Sequence, residues 1–321
     1  MQAVVCPAFG AALEWRDVEP VPLSAGQVRI QVAAAGVNFA DSLAIAGKYQ
    51  EKMEPPFTPG LELAGTVVEV AENVPDLRVG DRVMANVSGG AFASHCVAHW
   101  TDVHKLPDSL DFVAAAGFPV AYGTSHLGLL KAGLKAGETL VVHGAAGGVG
   151  LTAVEIGVAM GARVIATAGG PEKVQVALDH GAHHGIDYKS QDIRETVKAL
   201  TDGRGADVIY DPVGGDVFDA SLRCVAPDGR ILVIGFASGT VPQIPANHLL
   251  VKNVTVIGYW WGAYRKINPM LVRDSMAAAL DLWAQGKLRP HVSQVLKLSQ
   301  AAEAIGLLKS RASTGKVVLV P

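Results

Sequence analysis

The sequence predicts an α/β fold in which a doubly wound parallel sheet is inserted into a β-rich domain. Three observations carry that reading. From about Gly117 to Gly258, short apolar β-branched runs alternate with stretches of helical spacing, the rhythm of a parallel sheet covered by helices on both faces. Before that, from Met1 to about Leu110, the runs are short, alternating and punctuated by proline and glycine, which suits antiparallel strands with long connections. After Trp260 the strand–helix rhythm stops, and two amphipathic stretches lead to a last apolar run that folds back on the first domain. The expected organisation is therefore β-rich domain over 1–120, nucleotide-binding domain over 121–258, and the second part of the β-rich domain over 259–321.

Taken in order, Gln27 to Ala35 alternates Val28, Ile30 and Val32 with Arg29 and Gln31, as a half-buried strand does. Glu62 to Val70 reads as a second strand, and the turn Val79-Gly80-Asp81-Arg82 leads into a third at Val83. In the middle of the chain, strands are expected at 139–143, 163–168, 185–187, 206–210, 230–234 and 254–258. Helices are expected between them at 148–160, 171–180, 190–201 and 215–225, with Pro171 at a first-turn position that tolerates proline. The helix from Gly148 carries one charge, Glu155, in thirteen residues, so it is buried nearly all round. Met270–Gln285 and Ala301–Lys309 read as helices and Lys316–Val320 as the closing strand.

Composition narrows the function. Of 321 residues, half are apolar and 18% charged, enough for a well-buried globular chain. A net charge of −3 offers no long-range attraction to nucleic acid or anionic lipid. Arg16 is the first basic residue, so no charged n-region of a secretory signal is expected. Apolar runs end well short of the roughly 20 residues a membrane span needs. Cys6, Cys96 and Cys224 are odd in number and far apart, which argues against a disulfide framework and for a reducing, cytoplasmic compartment.

The chemistry centres on Thr139 to Gly150. A β-branched run ends in glycine and opens into a helix, the strand–turn–helix that lays a pyrophosphate against a helix N-terminus. Ala145, Gly147 and Gly150 fill the three fingerprint positions, with alanine in the first. An NAD-specific site places an acid at the end of the second strand, but this chain has Thr167-Ala168-Gly169-Gly170 there. Lys173 follows in the next turn and Tyr188 lies past the third strand, a cation and a phenol suited to a 2′-phosphate. Glu172 is the contrary sign. NADPH is the expected cofactor.

These stretches together resemble the medium-chain dehydrogenase/reductase superfamily, specifically its zinc-free, zeta-crystallin-like quinone oxidoreductase branch. The resemblance runs through Gly36-Val37-Asn38-Phe39-Ala40-Asp41, Pro59-Gly60-Leu61-Glu62-Leu63-Ala64-Gly65 and Val79-Gly80-Asp81-Arg82-Val83. It continues through His143–Gly150, Gly181-Ala182-His183, Asp211-Pro212-Val213-Gly214-Gly215 and Thr314-Gly315-Lys316. It implies a Rossmann domain inserted into a GroES-like catalytic domain. Where zinc relatives carry their catalytic cysteine and histidine, this chain has Asn38 and Leu61, neither a useful zinc ligand. His95, Cys96 and His99 are close in sequence, but on a strand Cys96 faces away from the other two.

Without a metal, the resemblance implies hydride transfer from NADPH to a quinone or related α,β-unsaturated carbonyl. A hydrogen-bond donor must then meet the developing oxyanion. Asn38 is expected to be that donor beside the nicotinamide, with Asp41 either positioning it or simply exposed. Tyr49 resembles the proton donor of enoyl-thioester reductases, or else packs at the cleft rim. Thr124 resembles the threonine that contacts the nicotinamide, or else caps a helix. The remaining cofactor contacts implied are Ala146, Gly147, Gly148, Val149, Gly170, Lys173, Tyr188, Val213, Phe236 and Arg311, the last equally readable as a surface arginine. Trp260, Trp261 and Tyr264 either flank a planar substrate or pack in the core. A homodimer is implied through the strand Val254–Gly258, whose apolar edge needs covering. Two alternatives stand beside this reading: a 2-enoyl thioester reductase using Tyr49, and a non-catalytic, crystallin-type NADPH-binding protein.

Overall fold

In the structure, a computed structural model describing residues 1–321, the chain opens with the antiparallel ribbon β1 (Gln2–Val5) and β2 (Glu14–Asp17). The alternating run expected from Gln27 then forms the longest strand, β3 (Gln27–Val37), followed by the short helix α1 (Phe39–Ile45). Next come β4 (Glu62–Val70), β5 (Arg82–Asn86), β6 (His95–His99) and β7 (Val103–Lys105). Helix α2 (Phe112–Ala116) starts where Asp111 accepts from the backbone N–H of Val113 and Ala114. Helix α3 (Pro119–Lys131) leads into the strand–helix series.

That series is β8 (Thr139–Val142), α4 (Gly148–Ala159), β9 (Arg163–Ala168), α5 (Pro171–Asp179), β10 (His184–Asp187) and α6 (Ile193–Leu200). It continues with β11 (Ala206–Asp211), α7 (Asp216–Cys224), β12 (Val225–Val233), α8 (Ala246–Lys252) and β13 (Thr255–Gly258). Helices α9 (Trp261–Ile267) and α10 (Pro269–Ala284) follow, then β14 (Val292–Lys297), α11 (Ala301–Lys309) and β15 (Lys316–Val320).

The chain divides into two units. One comprises Met1–Ala121, Asn268–Ala277 and Pro290–Pro321; the other comprises Tyr122–Ile267 and Ala278–Arg289. The segment 259–321, which the sequence assigns as one piece to the β-rich domain, is thus shared between both. In the first unit a seven-stranded sheet runs β14-β15-β3-β4-β5-β7, with β6 also paired to β3. Its core gathers Val28, Ile30, Leu63, Val67, Val83 and Phe92. In the second, six parallel strands run β10-β9-β8-β11-β12-β13, the doubly wound order expected from the alternation. Strand order reverses between β8 and β11, so their C-terminal ends make the switch-point crevice where such sheets take ligands.

The start of β12 and the whole of α3 are among the departures from the sequence reading. Strand β12 starts at Val225 rather than Arg230, because Val225 already pairs with Ala206 before a bulge resets the register at Val208. Pro227-Asp228-Gly229 rides inside that bulge with Asp228 at φ 58°. Helix α3 was not expected at all; its apolar residues are spread round every face, so it lacks the amphipathic signal of a surface helix.

Candidate functional site

In the first unit, sheet register brings together residues far apart in sequence. Strand β3 lies between β15 and β4, with Val37 opposite Val317 and Gly36 opposite Glu62. Asn38, Glu62 and Lys316 therefore meet at one end of three adjacent strands. All three are buried, at 8%, 0% and 6% exposure. The Lys316 ammonium donates to Val37 O at 2.9 Å and Asn38 Oδ1 at 2.7 Å, and pairs with Glu62 Oε1 at 2.7 Å. Asn38 Nδ2 donates to the same Glu62 oxygen at 2.8 Å, while Glu62 Oε2 accepts the Val120 N–H at 2.7 Å. Glycine 36 makes this possible, since a Cβ there would lie 2.4 Å from Glu62 Oε1.

Asn38 is also the N-cap residue of α1, where Asp41 Oδ2 accepts its backbone N–H at 2.7 Å. Asp41 is buried, not the exposed acid that the sequence allowed, and its Oδ1 receives no hydrogen bond. Burial pushes its carboxyl up to about 7, against the opposing pull of the Asn38 N–H and the Lys316 charge. Tyr49 lies half-buried in the loop after α1, and Arg311 is exposed just past α11 with φ 56°. Leu61 is buried next to Glu62. No three of the chain's histidine, cysteine, aspartate or glutamate side chains form a group able to hold a metal ion.

In the second unit the fingerprint turn has the geometry its residues require. Gly144 takes φ 58°, so the left-handed position falls one residue before Ala145, and alanine costs nothing in the first fingerprint place. Gly150 has no such freedom, because a Cβ there would meet Gly144 O at 2.2 Å. Gly147 is the N-cap residue of α4, leaving the first-turn N–H groups, those of Gly148 and Val149 among them, without intrahelical partners. Ala146 is buried in the turn itself. The helix is held from beneath by Ser125, whose hydroxyl bonds Val149 O at 2.9 Å, Thr152 Oγ1 at 2.8 Å and Tyr210 Oη at 3.0 Å. Thr124, one residue earlier, is buried within α3 and caps nothing: Pro119 already starts that helix five residues before it.

The loop after β11 closes on this turn. Asp211 Oδ1 accepts the N–H groups of Val213 at 2.7 Å and Gly214 at 3.0 Å, fixing the loop after β11. A Cβ on Gly144 would come 3.3 Å from Val213 Cγ2, so the two switch-point loops touch. Phe236, 37% exposed after β12, packs over Gly214. At the end of β9, Gly170 (φ 105°) is the N-cap residue of α5 and donates its N–H to Asp187 Oδ1 at 2.8 Å. Asp187 also accepts from Lys189 N at 3.0 Å, and these backbone bonds hold its carboxyl below the usual range. The Tyr188 hydroxyl lies over Gly169, where a Cβ would approach it to 2.5 Å. Lys173 is half-buried in the first turn of α5, not fully exposed, while Glu172 beside it is exposed. Trp260 is 37% exposed and Trp261 buried, and Tyr264 packs against Tyr259 with ring centroids 5.8 Å apart.

Of these residues, Glu62, Lys316 and Asp211 lie in stretches that carry the resemblance but were given no role from sequence, and Asp187 and Ser125 were not singled out at all. Their signal is register and loop closure, which no local pattern carries.

Comparison with known proteins agrees with both halves of this geometry. Residues 24–108 match the family described as "Alcohol dehydrogenase GroES-like domain", and residues 148–282 the one described as "Zinc-binding dehydrogenase". The chain is 45% identical over 323 residues to the quinone oxidoreductase-like protein 2 homolog of Nematostella vectensis, covering 99% of this chain and 88% of that protein. It is 38% identical to the quinone oxidoreductase of Pseudomonas aeruginosa, covering 98% of each. Among solved structures it superposes on Escherichia coli quinone oxidoreductase complexed with NADPH, with TM-score 0.92, 29% identity and full coverage of both chains.

Proposed function

The chain belongs to the zinc-free quinone oxidoreductase branch of the medium-chain dehydrogenase/reductase superfamily, and we propose that it reduces quinones or related α,β-unsaturated carbonyls with NADPH and without a metal. When bound, NADPH supplies a hydride; with one proton from water, a quinone leaves as the hydroquinone and the cofactor as NADP⁺.

The chain's own residues fit that cofactor. The close-approach glycines at 147 and 150 and the free first-turn N–H groups of α4 suit a pyrophosphate. At the acid-free end of β9, Lys173 and Tyr188 stand beside Gly169 and Gly170, where they bind the 2′-phosphate. Asp187 is nearby and keeps its charge, with Oδ1 accepting the N–H groups of Gly170 and Lys189 and Oδ2 the Ser190 hydroxyl, so Lys173 must offset it for a phosphate to bind here. Thr124, Val213, Phe236 and Arg311 complete the cofactor contacts in this reading.

The observation that carries the chemistry is the side chain at position 38. A buried amide with one N–H committed to Glu62 has a second to offer a developing oxyanion. Asn38 and Leu61 provide no thiolate or imidazole, and on that residue chemistry the reaction proposed here runs without a metal. Strand β13 pairs only with β12, and Leu250 and Val251 just before it are each 76% exposed. A second copy pairing along that edge covers both, so the working form is a homodimer.

The test is oxidation of NADPH and NADH against a panel of quinones, enals and enoyl thioesters, with metal analysis of the same sample. Preference for NADPH and for quinones or enones, in protein without stoichiometric metal, is expected. Activity that tracks bound zinc would overturn the mechanism.

A further inference from the structure

We infer that Lys316 and Glu62 are positioning residues that lock and polarise the Asn38 amide, so that a fixed N–H rather than the carbonyl oxygen faces the reacting substrate. The inference rests on the proposed donor role of Asn38.

The amide lies between a group that can only donate and one that can only accept. Lys316 Nζ meets Oδ1 at 2.7 Å, and Glu62 Oε1 meets Nδ2 at 2.8 Å. Turning the amide over would set Nδ2 against the ammonium and Oδ1 against the carboxylate, replacing two charge-assisted bonds by two repulsions. An asparagine in an ordinary pocket has no such bias. The ammonium adds a second effect: by holding Oδ1 it draws electron density from the amide nitrogen, which makes the uncommitted N–H a stronger donor.

The surroundings are built for this arrangement. The three donors of Lys316 are all used, on Val37 O, Asn38 Oδ1 and Glu62 Oε1. Both oxygens of Glu62 are used as well, the second on the Val120 N–H. Gly36 leaves the space for the carboxylate, and a Cβ at Gly117 would press on Lys316 Cγ at 3.0 Å. From the other side, Asp41 fixes the Asn38 backbone N–H. A buried ion pair holds strands together no better than apolar side chains of the same volume. What this pair does that apolar residues cannot is fix the amide's direction.

The experiment uses the full chain labelled with ¹⁵N-asparagine. Only six asparagines are present, and the Asn38 side-chain signals are assigned by their loss in Asn38→Ala. In the wild type, the Asn38 amide proton bonded to Glu62 should exchange slowly with solvent. Lys316→Met should speed that exchange by about tenfold or more and lower quinone turnover by about 10- to 100-fold, with NADPH affinity unchanged. In an Asn38→Ala background the same Lys316→Met change should alter turnover by less than about twofold. A merely structural pair would cut turnover equally in both backgrounds. Should Lys316→Met fail to fold because Glu62 is left charged, Lys316→Met/Glu62→Gln removes both charges and carries the same expectations. Unchanged Asn38 exchange in a folded variant, or independent losses of turnover, would overturn the inference. If the wild type reduces no quinone or enone with NADPH, the proposed reaction fails, while the exchange measurement still decides whether the pair fixes the amide.

Discussion

Replacing Asp41 should change the pH dependence of stability more than any other single substitution near the site. Its carboxyl has an ordinary pKa of 3.8, and burial raises this to about 7 in the folded chain. At 1.36 kcal/mol per pKa unit, holding the ionised form inside costs about 4 kcal/mol above neutral pH. Between pH 4 and 7 the folded chain keeps this proton and the unfolded chain releases it. The cost is therefore absent at low pH, grows through that window and is constant above it, so stability falls as pH rises. Asp41→Asn abolishes the titration and keeps an oxygen for the Asn38 N–H, a bond of 2.7 Å in the wild type. The new amide nitrogen falls where Asp41 Oδ1 has no partner, and that unsatisfied donor costs about 1–3 kcal/mol. Urea unfolding of both proteins from pH 4 to pH 8 should show the variant starting at a deficit and gaining about 4 kcal/mol relative to the wild type. His104, which burial holds down at about 3, pulls each profile the opposite way as pH falls below 6.5, but it is common to both and cancels in the difference. A stability difference that stays flat across this range would refute the assignment of the titration to Asp41.

Further outcomes follow from the cofactor turn, the substrate side and the sheet edge. Gly150→Ala puts a methyl 2.2 Å from Gly144 O, and should abolish NADPH binding by calorimetry while leaving the first unit's circular dichroism contribution intact. Lys173→Ala should weaken NADPH by about 10- to 100-fold, the worth of a charge-assisted contact, and leave NADH unchanged; equal losses would remove Lys173 from the 2′-phosphate. Tyr49→Phe should keep quinone turnover within about threefold, whereas loss of a true proton donor costs about 10²–10⁴-fold. Light scattering should give twice the mass of one chain, reduced to one by Val251→Glu with Ile257→Lys; a monomeric wild type would refute pairing through β13.

How much of this was legible in the sequence depends on how local each signal is. The fingerprint turn, the parallel strands and α4 were readable because period, glycine and β-branching act within a dozen residues. Leu61 was readable only as a missing metal ligand, and Asn38 both as that and as the donor that the resemblance implies. That Asn38 is held by Lys316, 278 residues away, could not be read, because nothing but strand register brings them together. Asp41 was undecided between burial and exposure because α1 spans just seven residues, too few for a period to assign its faces. Thr124 was read as a possible cap because α3 shows no amphipathic period to announce where it begins.

The same register that builds the core of the first unit also builds the donor. Val28, Ile30, Val32, Leu63 and Val67 pack inward only if β3 and β4 pair as they do, with Gly36 opposite Glu62. Val317 and Leu319 pack inward only if β15 sets Val317 opposite Val37. A slip of one residue on either side would turn each strand's apolar set to solvent. It would also carry Glu62 or Lys316 off the end of β3 and away from Asn38. Hydrophobic burial across three strands thus specifies the position of an ammonium, a carboxylate and an amide. The amide's direction needs no flexible loop to set it, since it inherits the rigidity of the sheet.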